Sequence, residues 1–370
     1  MKVNLTTLSL LLAGAVIPCV QAGGLNLSQI ATAKSVGTAG AGNITTNDAS
    51  AVITNAANLS EIEESAWILG VQYLNVESNF VRDDNSASST GTNQQVLPHL
   101  SFASRLNDKW VAGIALHADG GVGIKYSQGV GATPYELINE NSISALNLTT
   151  SLAYQINDQL SLGSSLILQH ASLKAQGLKG RELKGDSLAT GFGLSANYQV
   201  SEDTQFGIRY QSQFDHDLSF DSNNDLRISP NLTWVKSLGL GVRQSVTQNL
   251  DLLVSTNMEG WQDYDEKYST TYSVGVGVEY VYDDWLLYSG VSGDTSPVSS
   301  QNRDVLLPLD AQWRIGLGAE RKVSHDLHLG LSYQYQNLGD GEIDANSGLF
   351  QPSGRYDTNR VHFITLSLRY

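Results

Sequence analysis

The sequence predicts an all-β transmembrane fold: a 14-stranded antiparallel outer-membrane β-barrel with an N-terminal hatch in the lumen. Three observations carry this. Apolar and polar residues alternate with period two in run after run from about residue 65 to residue 370, the pattern of a sheet with one apolar face. Connections alternate between tight Asn/Asp turns and long polar loops, the topology of bacterial outer-membrane barrels. After the first residues, no apolar stretch approaches the roughly twenty residues a membrane helix needs.

The chain begins with Lys2, an apolar run from Leu8 to Ile17, and small residues ending Val20-Gln21-Ala22. That order reads as a secretory signal peptide, residues 1–22. The single cysteine, Cys19, lies inside it, and Pro18 just before it argues against a lipoprotein. A mature chain without cysteine forms no disulfide and no thiolate metal site. The formal net charge of -15 excludes a nucleic-acid partner, which needs a basic face. With 35 glycines, 16 tyrosines and two methionines, the composition suits a thin sheet with one wet face.

The clearest strand is the last, with Ile364, Leu366, Leu368 and Tyr370 on one face and Phe363, Thr365, Ser367 and Arg369 on the other. Leu329, Leu331, Tyr333 and Tyr335 repeat the pattern, as do Tyr272 to Tyr280 and Phe192 to Tyr198. Fourteen such runs fall near 65–80, 96–106, 109–118, 143–156, 159–174, 185–200, 204–217, 233–247, 250–261, 271–283, 285–293, 310–323, 326–337 and 361–370. Asn107-Asp108, Asn157-Asp158, Glu202-Asp203, Gln248-Asn249, Asp283-Asp284 and His325-Asp326 are the tight turns; 81–95, 119–142, 218–232, 294–309 and 338–360 are the long loops. The sheet must close, because an unpaired edge in hydrocarbon leaves N–H and C=O groups unsatisfied. Trp110, Tyr154, Tyr198, Tyr282, Trp285 and Tyr370 lie near the short turns, where amphipathic rings favour the interface.

Residues 23–64 fit no strand and are too apolar for a charged, disordered tail. Small inward side chains leave room for them as a plug, which Arg209, Arg243, Glu279 and Glu320 would anchor by hydrogen bonds. Those charges equally well pair with one another across a wet wall.

Within this segment, Gly37-Thr38-Ala39-Gly40-Ala41-Gly42, Asn47-Asp48-Ala49-Ser50 and Thr54-Asn55-Ala56-Ala57-Asn58-Leu59 resemble the hatch of the FadL/OmpP1/TodX family of outer-membrane transporters. The resemblance implies a fourteen-stranded barrel that takes up long-chain fatty acids or similar hydrophobic compounds passively: loop capture, apolar binding against the hatch, and lateral release through a kinked strand. It implies that Asn55, Ala56 and Ala57 form the gate motif, although the family pattern has proline where Ala56 stands. The last strand, ending in Tyr370, resembles the signal read by the barrel-assembly machinery.

The cations Lys174, Lys179, Arg181 and Lys184, interleaved with Leu178 and Leu183, would capture a carboxylate head and its tail; contact with lipopolysaccharide phosphates would use the same charges. Leu25, Leu27 and Ile30 are candidates for deeper apolar binding or for hatch packing. No catalytic residue, metal site or cofactor is expected: the histidines are scattered, and His325 and His328 point to opposite faces. Two other functions stay open, a general diffusion porin and a lipid-modifying enzyme. Expected partners are a hydrophobic small molecule, lipopolysaccharide and outer-membrane lipid, for a monomer.

Overall fold

The computed structural model describes residues 30–83, 88–126, 138–177, 182–222, 231–303, 305, 309–324, 326–344 and 353–370. Among these residues seventeen strands follow one another: β1 (Ser65–Arg82), β2 (Ser88–Arg105), β3 (Trp110–Tyr126), β4 (Ile138–Gln155), β5 (Leu160–Gly177), β6 (Glu182–Ser201), β7 (Thr204–Gln211), β8 (Phe214–Asp217), β9 (Ser219–Ser222), β10 (Asn231–Trp234), β11 (Ser237–Thr247), β12 (Leu250–Glu259), β13 (Thr271–Tyr282), β14 (Trp285–Asp294), β15 (Gln312–Lys322), β16 (His328–Asn337) and β17 (Gly354–Arg369). Fourteen of them, β1–β7 and β11–β17, form the wall; each pairs antiparallel with its neighbours, and β1 closes on β17.

Alternation sorts the wall as the sequence predicts. On β1, Leu69, Val71 and Tyr73 are exposed, whereas Ile68, Gln72 and Leu74 are buried. Leu329, Leu331, Ile364 and Leu366 extend the same outer face. At the short turns, Asn107 and Asn157 each accept two backbone N–H bonds, from Lys109 and Trp110 and from Gln159 and Leu160, which bends the chain without glycine. Asp283 takes a positive φ of 55° in its two-residue hairpin, a conformation that Asp tolerates. Trp110 packs on Tyr154 at 4.6 Å between ring centroids, and Trp67 stacks on Tyr370 at 6.0 Å.

The strands depart from the sequence expectation at their outer ends. β2 begins at Ser88 rather than 96, β3 runs to Tyr126 rather than 118, and β17 begins at Gly354 rather than 361. These stretches are rich in glycine and polar residues, so the period-two alternation fades while the chain stays in strand. The run 204–217 divides at Ser212-Gln213, and 233–247 divides at Val235-Lys236. Beyond these breaks β8 and β10 form their own two-stranded sheet. Its Phe214, Leu232 and Trp234 pack with Ile143, Ile167, Ala171 and Ala189 of the inner wall.

The hatch is short helical turns joined by tight reversals. Thr32 caps the helix Ala33–Gly37 by accepting from Ser35 N at 3.3 Å. Ala39 and Gly40, with φ of 53° and 81°, turn the chain back. A second helix spans Ala51–Thr54, and Asn55 starts a 3-10 turn, Ala56–Glu61, by accepting from Ala57 N at 3.2 Å. Ala33, Val36, Ala51, Val52, Ala57 and Leu59 are fully buried. The hatch backbone rests directly on the wall where the wall has no side chain. A Cβ at Gly70 would collide with Ala31 O, one at Gly290 with Thr38 O, one at Gly316 with Val36 O, and one at Gly163 with Ala57 N. Only glycine permits so close a backbone approach.

Candidate functional site

The ladder between β2 and β3 is interrupted. Gly91 and Thr92 pair with Tyr126 and Lys125, and pairing resumes only at His99 with His117. In the gap, residues 93–98 of β2 face 118–124 of β3, one residue more on β3. The surplus also appears on the other side: Ala118 pairs with Leu146 of β4, Gly120 pairs with Ala145, and Asp119 between them is a bulge. A bulge bends its strand and re-aims the extra side chain. Gly120 and Gly121 follow, with φ of 154° and 157°, which side chains rarely adopt, and a Cβ at Gly121 would strike Ile143 O. Pro98, which has no N–H to donate, lies on the facing stretch of β2.

Behind the break is a cavity of about 120 Å³ against the hatch. Ile30, Asn43, Ile44, Ile53 and Thr54 line it from the hatch; it meets the break only at His117 and Asp119 of β3, and the rest of its wall comes from Arg209 and Gln211 of β7, from β11–β14, including Asn257 and Glu259, and from Arg314. Its character is mixed rather than greasy. A smaller cavity of about 10 Å³ shares His117, Ile53 and Arg209 and is bounded by Ala56. The Asn55-Ala56-Ala57 motif is thus one small void away from the break. It is also fastened to the wall beyond: Asn55 Nδ2 donates to Ile44 O at 2.8 Å and to Ala196 O at 3.4 Å, and Ala57 N donates to Ser195 Oγ at 3.0 Å.

The four lumen charges have different surroundings. Arg243 donates to Glu279 at 2.9 Å, to Asp251 at 2.7 Å and to the hatch carbonyl of Thr45 at 3.3 Å. Glu320 pairs with Arg369 at 2.6 Å. Arg209 donates to Gln211 beside the cavity. Within the hatch itself Lys34 pairs with Asp48 at 3.0 Å. Burial pushes the Asp48 carboxyl up, but Lys34, the Ser50 hydroxyl and Arg369 more than offset it, so that its pKa lies well below the ordinary value of 3.8.

The cationic stretch lies where β5 and β6 meet, and the structure orders more of it as strand than the sequence indicated. Lys174 pairs directly with Lys184 in the ladder and shares the outward face of β5 with exposed Leu166 and Leu168, away from the lumen. Lys174 Nζ lies 3.2 Å from Glu140, which also holds Lys125 at 3.3 Å. Leu183 falls within β6; Leu178, Lys179 and Arg181 lie outside the described residues, as do Leu25, Leu27 and His325. Ile30 is half-buried and borders the cavity.

Two features escaped sequence reading. Asp119-Gly120-Gly121 reads as loop, because Asp and Gly signal turns as strongly as they signal bulges. Arg105, at the end of β2, donates to the carbonyls of Ser60 and Ile62 and so ties down the hatch where it joins the barrel; a lone arginine beside a turn gives no such sign.

A family model described as outer membrane protein transport protein (OMPP1/FadL/TodX) matches residues 14–274 and 245–370. Among curated relatives, a long-chain fatty acid transport protein of Escherichia coli O6:H1 is 21% identical, over 78% of this chain and 81% of that one. Outer membrane protein P1 of Haemophilus influenzae is 25% identical, over 90% and 88%. Among solved structures, a Pseudomonas aeruginosa FadL homologue superposes with a TM-score of 0.79 at 17% identity, covering 94% of this chain and 99% of that one. The toluene transporter TodX of P. putida gives 0.70 at 15% identity, covering 93% and 99%.

Proposed function

Because the chain belongs to the OMPP1/FadL/TodX family of outer-membrane transport proteins, we propose that this outer-membrane β-barrel admits long-chain fatty acids or similar hydrophobic compounds, passively, and releases them sideways through the break in β3. The observation that carries the reading is the interrupted β2–β3 ladder opening beside a cavity against the hatch. A hydrophobic solute gains nothing from a water-filled bore, and the hatch occupies the bore; a gap in the wall leads instead to hydrocarbon. In hydrocarbon such a gap costs unsatisfied backbone groups, so its presence calls for a function. The same hatch speaks against a general diffusion porin, which needs an open eyelet.

In this reading residues 1–22 are removed on export, 23–64 are the hatch and 65–370 the barrel, with Ile30 and, before it, Leu25 and Leu27 meeting the ligand. Asn55, Ala56 and Ala57 hold the gate region in place. The cavity's mixed lining suits a ligand with a polar end; of its two arginines Arg314 is paired with Asp294 at 2.8 Å, which leaves Arg209 to meet a carboxylate. Lys174 and Lys184, on the outward face, suit first contact at the outer rim or lipopolysaccharide phosphates rather than a site in the lumen.

The test is uptake of a labelled long-chain fatty acid by Gram-negative cells lacking their own transporter, with and without the assembled protein. Restored uptake supports the proposal; background uptake with the barrel in place removes fatty acid as the ligand. Arg209→Gln is expected to lower fatty-acid uptake severalfold and to leave uptake of a monoaromatic hydrocarbon unchanged, since a buried charge-assisted bond contributes about 1.5–3 kcal/mol. Equal loss for both ligands would take Arg209 out of head-group recognition.

A further inference from the structure

One buried hydrogen-bonded chain joins the outer hairpin to the break. Asp119, the bulge residue, accepts from Gln169 Nε2 of β5 at 3.0 Å. The second hydrogen of that amide goes to Asn147 Oδ1 of β4, also at 3.0 Å. Gln169 Oε1 lies 2.9 Å from His216 Nε2, on the inward face of β8. Gln169, Asn147 and His216 are at most 2% exposed.

The chemistry of these groups leaves one assignment. An ionised carboxylate only accepts, so Gln169 must turn its NH₂ toward Asp119; its carbonyl oxygen then faces His216, which must carry its proton on Nε2. The orientation of each group is set by the one before it, from the break to the hairpin. Asn147 Nδ2 and His216 Nδ1 are buried without a partner, but turning Gln169 or His216 would break a bond between buried groups, at about 1–3 kcal/mol.

We propose that Gln169 is a positioning residue that couples the β8–β10 hairpin to the break in β3. While His216 holds the amide carbonyl, Gln169 holds Asp119 and with it the bulge. When the β8–β10 pair shifts, the amide is released and the segment 118–124 gains freedom to open. The coupling deepens the proposed function, since it rests on the break being the exit; its test needs no substrate and is therefore independent of whether uptake of any compound is observed.

The test uses the exported protein; the single cysteine of the sequence, Cys19, falls in the segment removed on export, so Ala118→Cys beside the bulge supplies the only thiol. The rate at which a water-soluble maleimide labels that cysteine is measured in the purified, folded barrel. His216→Leu, distant in sequence and on another element, is expected to raise the rate severalfold, and Gln169→Leu to do the same from the wall side. His216→Gln, whose amide N–H can still donate to Gln169, is expected to restore the parent rate. Unchanged labelling in both leucine variants overturns the coupling, as does fast labelling in His216→Gln. Loss of the folded, heat-modifiable barrel in both leucine variants also overturns it, for the network would then serve assembly alone.

Discussion

Deleting Asp119 is expected to close the side of the barrel and reduce uptake by about tenfold or more, because a continuous ladder leaves no gap in hydrocarbon for the solute to use. The expectation follows from register. β3 carries one residue more than β2 across the break, and one more than β4 at the same place. Removing that residue lets 93–98 pair with the shortened stretch of β3 and lets Ala118 and Gly120 follow one another opposite Leu146 and Ala145. Both ladders are mended by one deletion, so the barrel should assemble and resist denaturation at least as well as the parent. Uptake in transporter-deficient cells, set beside the heat-induced shift of the barrel on a gel, decides the matter. A variant that folds and still carries ligand at the parent rate would remove the break from the route.

The second large effect is expected inside the hatch. Lys34→Met leaves Asp48 buried without its partner, and losing one member of a buried pair costs about 3–5 kcal/mol. A loss of that size is large beside the net stability of a few short helical turns, so residues 33–54 should lose amide protection from hydrogen exchange while the strands keep theirs, and ion conductance across a planar bilayer should rise. Adding Asp48→Leu to Lys34→Met should recover much of the protection, since no charge is then stranded. pH should act through the same pair. The folded-state pKa of Asp48 lies below its ordinary value of 3.8, so its contribution is complete above that value and declines as pH falls below it toward the depressed folded value. Hatch protection should therefore be flat from neutral pH down to about 4 and fall in more acidic solution. A decline centred near pH 6 would point to histidine instead.

Much of the fold could be read because lipid imposes a strict rule: Leu69, Val71, Ile364 and Leu366 must face outward wherever the wall crosses hydrocarbon, and the count of fourteen follows from such runs. Where the rule lapses, so did the reading. Ser88 to Gln95 are strand residues, most of them polar, and nothing in their order marks them as such. β8 and β10 keep an alternation that served equally well for a wall and for a hairpin packed within it. The site was less legible still. A bulge at Asp119 and a turn at Asp119 require the same residues, and the choice between them lies in the register of two neighbouring strands. Lys174 and Lys184 were visible as cations; the side of the sheet they occupy depends on a phase that the loop between them conceals.

The glycine seats bear on how the molecule comes to exist. Ala31 rests on Gly70 of the first strand, and Ala33 N donates to Ser367 of the last strand at 3.1 Å, so the first described turn of the hatch touches both edges of the seam that closes the cylinder. A hatch fitted so tightly is expected to lie in place while the sheet curls, in the manner of a mandrel around which the staves are bent. Chains lacking it should stall as open sheets awaiting their final edge rather than accumulate as empty cylinders.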